Sequence, residues 1–239
     1  MDTNKNLYTI VYSVILVVIV AAVLAFAAEA LKPRQQRNIE IETKQMILKS
    51  VRLVPDALTV PDKAKYIENQ YSKFIKDSSI TTDEGEKKLY ICTFENGDKA
   101  YIVYVSGVGL WGPIWGYLAF KKDFNTIYGT TFDHKGETPG LGAEINTDWF
   151  AAQFNDKQIF ENGEFTSVKI VKGGADKSNL HEVDAISGGT ITSKALEVTI
   201  SKSINSYVKF FKSKLEEAAS VKQSDSLAVP VDSLKTIVK

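Results

Sequence analysis

The stretch Leu89-Tyr-Ile-Cys-Thr-Phe-Glu-Asn-Gly-Asp-Lys-Ala-Tyr-Ile-Val-Tyr-Val105 decides the fold. Its two halves are rich in β-branched and aromatic residues, and they flank Asn96-Gly97, the strongest short hairpin signal in a sequence. We therefore predict two antiparallel strands, at 88–94 and 99–105. Further strand-like runs follow at 114–120 and 126–132, so the middle of the chain is predicted to be a β-meander.

Helical periodicity flanks the meander on both sides. Residues 62–76 are predicted to form a short helix, and a second short helix is predicted from Asn146 or Thr147 through Phe154. A strand at 165–171 comes next. From Ser193 onward, apolar residues at intervals of three or four predict one helix of about seven turns: Leu196, Ile200, Ile204, Tyr207, Val208, Phe211 and Leu215. This order is typical of an α+β domain with a twisted antiparallel sheet and packed helices.

The N-terminal region contains an uncharged, apolar stretch at 7–28. As a helix it would span about 33 Å, enough to cross a hydrocarbon core of roughly 30 Å. The alternative is a cleaved signal peptide, because Ala25-Phe26-Ala27 has the small-x-small form of a cleavage site. Since the apolar regions of signal peptides run to only about 7–15 residues, a retained single transmembrane anchor is favoured.

Three segments are expected along the chain: a membrane anchor at 1–30, a folded domain at 31–221 and a polar tail at 222–239. Residues 33–53 are predicted to be a helix that leads from the membrane into the domain. Three cations follow the apolar stretch (Lys32, Arg34 and Arg37), whereas Lys5 beside Asp2 precedes it. By the positive-inside rule this asymmetry favours a cytoplasmic domain.

Composition excludes several classes of function. The 29 Lys and Arg residues balance 29 Asp and Glu residues, so no electrostatic footprint for nucleic acid is present. Cys92 is the single cysteine, which excludes an intrachain disulfide, and it lies in an apolar run typical of a core residue. His134 and His181 lack ligand-like spacing, so no metal site is expected.

Three glycine-rich segments punctuate the domain, at 106–113, 136–142 and 184–193. The third, Asp184-Ala-Ile-Ser-Gly-Gly-Thr-Ile-Thr-Ser193, opens the long helix, where free N–H groups and the helix dipole favour a phosphate. One interpretation is purely structural: Ser187, Thr190, Thr192 or Ser193 caps the helix, and Trp111 is a core residue. The other is a planar, partly apolar ligand with a phosphate, which would use all three segments.

Four blocks of the sequence, in order, resemble the C subunit of the Na+-translocating NADH:quinone oxidoreductase, a bacterial respiratory complex. The likeness extends over nearly the whole chain. The blocks are Ala30-Leu-Lys-Pro-Arg-Gln36, Gly109-Leu-Trp-Gly-Pro-Ile-Trp-Gly-Tyr-Leu-Ala119, Gly136-Glu-Thr-Pro-Gly-Leu-Gly-Ala-Glu144 and Glu182-Val-Asp-Ala-Ile-Ser-Gly-Gly-Thr-Ile-Thr-Ser193.

The resemblance implies a covalent FMN, attached through its phosphate to Thr190. It further implies a flavin transferase that uses FAD as donor and recognises Asp184, with Ser187 and Gly188 as other motif positions. Gly189 stands where the family usually has alanine, which puts recognition by the transferase in question. The residues expected to contact the flavin ring, with core packing as the competing interpretation, are Trp111, Glu137, Thr138, Leu141 and Gly142.

The role implied by the resemblance is an electron relay from NADH toward quinone, coupled to sodium export. No G-x-G-x-x-G fingerprint follows a strand and also opens a helix here, so NADH is expected to bind elsewhere in the complex. We expect no catalytic constellation in this chain itself. The family places the flavin domain on the periplasmic side of the bacterial cytoplasmic membrane, and we follow that expectation over the charge count.

Two alternatives stay open at this point. The equivalent G subunit of an Rnf-type ferredoxin:NAD complex shares the anchor, the fold and the flavin motif. A non-redox, membrane-anchored assembly protein with an unmodified Thr190 is the other, and only Gly189 favours it.

Overall fold

A computed structural model describes residues 6–54 and 60–227, with side chains described up to residue 217. The predicted α+β class is confirmed: within this part, five helices accompany a five-stranded antiparallel sheet. The proposed tail at 222–239 begins inside the last helix, and its residues 228–239 lie outside the described residues. The flank at 1–5 lies outside them too.

The helices are α1 Asn6–Ser50, α2 Lys63–Phe74, α3 Asp148–Ala152, α4 Thr190–Asn205 and α5 Val208–Leu227, and a 3₁₀ turn spans Gly142–Asn146. The sheet strands are β1 Ile75–Thr82, β2 Gly85–Thr93, β3 Lys99–Val108, β4 Pro113–Phe120 and β5 Ile127–His134. Four short strands follow: β6 Phe160–Glu161, β7 Glu164–Phe165, β8 Lys169–Val171 and β9 Glu182–Asp184.

The sheet is a meander in the order β1-β2-β3-β4-β5, and each strand is antiparallel to the next. The predicted hairpin is present: the Phe94 N–H donates to the carbonyl of Asp98 at 2.9 Å, and Gly97 adopts φ +84°. Strand β1 was not predicted, because the helix was expected to continue to residue 76. Its sequence is polar because it is an edge strand, and its pairing with β2 stabilises it.

The sheet forms the middle layer of the domain. On one face, Val103 and Val105 belong to the main hydrophobic core with α4, and Thr199 of that helix lies against Gly107. The opposite face approaches the end of α1 so closely that a Cβ on Gly129 would lie 2.6 Å from the carbonyl oxygen of Ser50. Both faces are therefore covered, while the strand ends remain free to build a site.

Helix α1 is continuous through Pro33, where the sequence suggested an anchor followed by a separate helix. Its best 18-residue window has a mean hydropathy of 3.0, and it is long and apolar enough to cross a membrane. By its internal contacts the chain divides after Lys44, so the apolar part of α1 and the domain that holds the sheet form separate units.

The prediction of one long C-terminal helix was wrong, because α4 and α5 are separated by a tight turn. The Tyr207 N–H donates to the carbonyl of Ile204 at 2.7 Å, and the Tyr207 hydroxyl donates to the carbonyl of Lys88 at 2.8 Å. The apolar periodicity continues across the turn, which contains neither proline nor glycine, so no local signal marks the break. Similarly, the predicted strand at 165–171 is divided between β7 and β8.

Candidate functional site

Three loops meet at one end of the sheet. The register pairs Gly107 with Ile114 and Ile114 with His134, so the β3–β4 loop and the segment after β5 lie at the same edge. A Cβ on Gly142 would lie 2.3 Å from the Thr192 hydroxyl oxygen, which brings the first turn of α4 to the same place. The structure thus assembles the three glycine-rich segments that the sequence singled out.

The turn before α4 leaves the helix N-terminus without a side-chain cap. Gly188 adopts φ +75°, a left-handed conformation that favours glycine, and the Gly189 N–H donates to the carbonyl of Ile186 at 3.0 Å. Gly189 is the N-cap residue, and Thr190 is the first residue of the helix. Since the first N–H groups of an α-helix have no intrahelical acceptor, this end of α4 is suited to an anion.

The four hydroxyls of the segment have different surroundings. Thr192 is buried and donates to the carboxylate of Glu137, and Ser193 is buried and accepts from the Ile186 N–H at 3.1 Å. Ser187 is exposed and Thr190 is half-buried. None of the four caps α4, so the capping interpretation is wrong, and the two accessible hydroxyls are those of Ser187 and Thr190.

Glu137 connects all three segments. One carboxylate oxygen, Oε1, accepts from the Trp111 N–H at 2.8 Å, and Oε2 accepts from the Thr192 hydroxyl. Burial raises the pKa of this carboxyl, but the hydrogen bonds from Thr192 and from the backbone of Leu110, Trp111 and Gly112 outweigh it and hold the pKa below its usual range. The side chain is only 4% exposed and carries a buried negative charge inside a ring of donors.

Two of the glycines make room for this carboxylate. A Cβ on Gly109 would lie 2.6 Å from Oε1 of Glu137, and a Cβ on Gly142 would lie 2.6 Å from Oε2. The Gly109 N–H also donates to the carbonyl of Gly112 at 2.8 Å, which closes the loop. These two positions therefore require glycine because of the Glu137 carboxylate, independently of any ligand that the site binds.

Exposed apolar side chains lie on each of the three segments that meet at the uncapped helix end. Trp111 is 69% exposed, so its interpretation as a core residue is wrong. Leu110, Leu141 and Ile191 are exposed as well. We call these four residues the apolar rim. Thr138 is exposed, and its carbonyl accepts from the Leu141 N–H at 3.1 Å, which shapes the loop that carries this part of the rim.

Asp184 ends β9 and stabilises the segment that precedes it. Its Oδ1 accepts from the Ala175 N–H at 2.5 Å, and its own N–H donates to the side-chain oxygen of Gln153 at 2.8 Å. The residue is half-buried. Its side chain therefore holds the loop before the motif, and recognition by a transferase stays a prediction.

The structure gives a reason for glycine at 189. A Cβ there would lie 2.9 Å from Cγ2 of Ile186 and 3.1 Å from the carbonyl oxygen of Leu141. Alanine would force one of these groups to move. The β-branched Ile186 and the absent Cβ of Gly189 therefore form a matched pair, which the sequence pattern alone did not reveal.

Known proteins are similar to this chain in sequence. A family model for the FMN-binding domain matches residues 109–205. The chain is 29% identical over 214 residues to the C subunit of the Na(+)-translocating NADH-quinone reductase of Vibrio campbellii, covering 74% of this chain and 82% of that protein. The corresponding C subunit of Pseudomonas aeruginosa is 34% identical over 123 residues, which cover 50% of this chain and 47% of that protein.

Solved structures give the same result. The crystal structure of the C subunit of the Na(+)-translocating NADH-quinone reductase of Parabacteroides distasonis superposes with a TM-score of 0.67 at 37% identity, covering 76% of this chain and 96% of that one. NqrC of Shewanella oneidensis superposes with a TM-score of 0.60 at 22% identity, covering 75% and 99%, and supports the fold alone.

Proposed function

Because the chain belongs to the family of C subunits of the Na+-translocating NADH-quinone reductase, we propose that it is a covalent FMN-carrying subunit of such a complex. In this role it relays electrons from NADH toward quinone, coupled to sodium export. The uncapped N-terminus of α4, with Thr190 as its first residue, is the observation that carries the proposal.

The residues present fit an FMN. The free N–H groups at the start of α4 would hold the phosphate, and the left-handed Gly188 carries no side chain into its path. The four exposed apolar residues of the rim would contact the ring, where a planar apolar group removes their surface from water. When bound, the flavin supplies the ability to accept and donate one or two electrons.

Attachment requires a hydroxyl beside the phosphate site, and Thr190 supplies it. The Thr190 oxygen would bond to the phosphorus next to the riboflavin of FAD, and AMP would leave with the hydroxyl proton. A flavin transferase that recognises Asp184 would perform this step. Thr192 and Ser193 are buried and hydrogen-bonded, which leaves Ser187 as the only other accessible hydroxyl among the four of the segment.

The remaining residues do structural work around the flavin. Glu137 holds the loop of Trp111 against the first turn of α4. The position of Trp111 relative to the phosphate site at the helix N-terminus is therefore fixed. A phosphoester tether prevents loss of the flavin and leaves its ring for the protein to tune. The relatives described above are C subunits, which supports this assignment over an Rnf-type G subunit.

The membrane arrangement is part of the proposal. The apolar part of α1 anchors the protein in the bacterial cytoplasmic membrane, where it assembles with the other subunits. The flavin domain lies on the periplasmic side. A covalently attached flavin suits that location, because an FMN that dissociated there could not be replaced from a pool of free FMN.

The test is the intact mass and the in-gel flavin fluorescence of the denatured full-length chain, produced together with a flavin transferase. We expect wild type to gain the mass of one FMN less water and to fluoresce. Thr190→Ala should lose both signals. Ser187→Ala is the matched control, since it removes the neighbouring exposed hydroxyl, and it should keep the flavin attached to Thr190.

Two results would contradict the proposal. One is an adduct that survives Thr190→Ala, which would place the flavin elsewhere. The other is a wild-type chain without any adduct, made beside a transferase that modifies a control substrate. That outcome would favour the unmodified assembly protein.

A further inference from the structure

We propose that Glu137 is the positioning residue of the flavin site: its carboxylate ties the loop that carries Trp111 to the helix turn that carries Thr190, and so holds the indole against the flavin ring. The inference rests on the proposed function. It assigns Glu137 a role other than the ring contact expected from the sequence.

The carboxylate of Glu137 is an internal charge. Glu137 is the only charged side chain among the buried side chains that the structure describes. Burial alone would raise its pKa, yet hydrogen bonds from one hydroxyl and three consecutive backbone N–H groups keep that pKa low. A buried charge is tolerated only when it is well paired or hydrogen-bonded, so this arrangement must be intact in the folded protein.

The same carboxylate joins two parts of the site. Oε1 accepts from the Trp111 N–H at 2.8 Å, and Oε2 accepts from the Thr192 hydroxyl. Thr192 lies two residues after Thr190 in the first turn of α4. A single side chain therefore connects the backbone of Trp111 to the turn on which the flavin would be attached.

The loop of Trp111 is also closed by the backbone hydrogen bond from the Gly109 N–H to the carbonyl of Gly112, but neither bond acts on the indole itself. The Trp111 side chain is 69% exposed, so core packing does not fix the indole. Gly109 and Gly112 lie on either side of it in the loop, and glycine gives the backbone more freedom than any other residue. The Glu137 carboxylate therefore fixes the backbone position of Trp111, which core packing would do for a buried tryptophan.

The test follows the backbone amide exchange of the peptide that contains residues 109–113, in the full-length chain made without transferase. A hydrogen bond to a charged group shifts an opening equilibrium by roughly tenfold or more, so Glu137→Ala should speed exchange in this peptide by about that factor. Thr192→Val should speed it less, because the bonds from Glu137 to the loop remain. Thr199→Val is the matched control, since that buried hydroxyl on the same helix bonds to the carbonyl of Ala195 instead.

A second readout uses the flavinylated chain. An indole in contact with a flavin quenches its fluorescence, so Glu137→Ala should raise the emission per attached flavin as much as Trp111→Leu does. Combining the two changes should add nothing further. Glu137→Gln should restore most of the wild-type behaviour in both readouts, because its oxygen accepts from the Trp111 N–H and its amide donates to the Thr192 oxygen, although the bonds to a neutral amide are weaker.

The inference is overturned if exchange at 109–113 and flavin emission are unchanged in Glu137→Ala, or if Glu137→Gln fails to rescue them. If Glu137→Ala does not fold, Thr192→Val against Thr199→Val decides the question. A wild-type chain that never acquires flavin refutes the proposed function, whereas the exchange experiment still reports on Glu137. If the wild-type chain acquires flavin but Glu137→Ala matches it in amide exchange and flavin emission, only this inference is refuted.

Discussion

The β3–β4 loop at 109–112 and the turn at 187–190 are both glycine-rich and both offer backbone N–H groups, yet they differ in what accepts those hydrogen bonds. In the first, the carboxylate of Glu137 accepts from the backbone and the site is closed by the protein's own anion. In the second, no side chain caps the helix, and the N–H groups are left for an anion from outside.

Glycine content by itself therefore does not identify a phosphate site. Gly109 is glycine because a Cβ would collide with Glu137, whereas Gly188 is glycine because its φ is +75°. Only the second pattern leaves a vacant donor set at a helix end. Three changes, taken from the largest expected effect to the smallest, test whether the two regions differ in this way.

Filling the space around the internal anion should be the most damaging change. In Gly142→Ala the new Cβ would lie 2.3 Å from the Thr192 hydroxyl oxygen and 2.6 Å from Oε2 of Glu137. Overpacking of this kind costs about 3 kcal/mol in the free energy of unfolding, measured by urea denaturation of the domain. Gly136→Ala is the control, because its nearest neighbour would be the Trp111 carbonyl oxygen at 3.8 Å. Equal losses in the two variants would show that the space beside the carboxylate is not restricted.

A smaller effect is expected at the open turn. Gly189→Ala introduces the alanine that the family usually has, and should cost about 1 kcal/mol because its Cβ would lie 2.9 Å from Cγ2 of Ile186. Ile186→Leu removes that Cγ2 branch. The double variant should therefore be more stable than the sum of the single changes by about 0.5 kcal/mol or more. If the changes in unfolding free energy from Gly189→Ala and Ile186→Leu are strictly additive in the double variant, the two residues are not a matched pair.

The smallest effect concerns pH. The pKa of Glu137 is lower in the folded protein than the usual value of about 4.3, so its ionised form stabilises the fold at neutral pH. That contribution is complete above the unfolded pKa and is lost as the pH falls through the folded pKa. The difference in unfolding free energy between wild type and Glu137→Gln should narrow on acidification from neutral pH to below about 4. A difference that stays constant with pH would mean that the pKa of the Glu137 carboxyl is the same in the folded and the unfolded protein.

Much of the fold could be predicted from the sequence, because local signals mark it. Asn96-Gly97 and the alternating runs around it define the hairpin, and the apolar period defines the buried stripe of α4. What could not be predicted depends on distant contacts. Strand β1 is polar and is stabilised by β2, and the break before α5 coincides with a long-range hydrogen bond from the Tyr207 hydroxyl to the carbonyl of Lys88.

The three segments that meet at the candidate site could be singled out from the sequence, but the contacts between them could not. The motif at 184–193 and its helix follow from glycine, hydroxyl and periodicity signals. Nothing local in Gly136-Glu-Thr-Pro-Gly140 shows that the Glu137 carboxylate is buried against two other segments, since its partners Trp111 and Thr192 are far away in the chain. The exposure of Trp111 is likewise a tertiary property, because its sequence left flavin contact and core packing as competing interpretations.

The most direct measurement is amide hydrogen exchange of the full-length chain with and without FMN attached, for peptides that contain 109–113 and 187–192. We predict that flavinylation slows exchange in the second peptide, where N–H groups gain the phosphate as acceptor, and leaves the Glu137-bonded amides of the first nearly unchanged. Protection of the amides at 110–112 with none at 190–192 would contradict this account. The phosphate would then accept from the loop whose N–H groups the account assigns to Glu137.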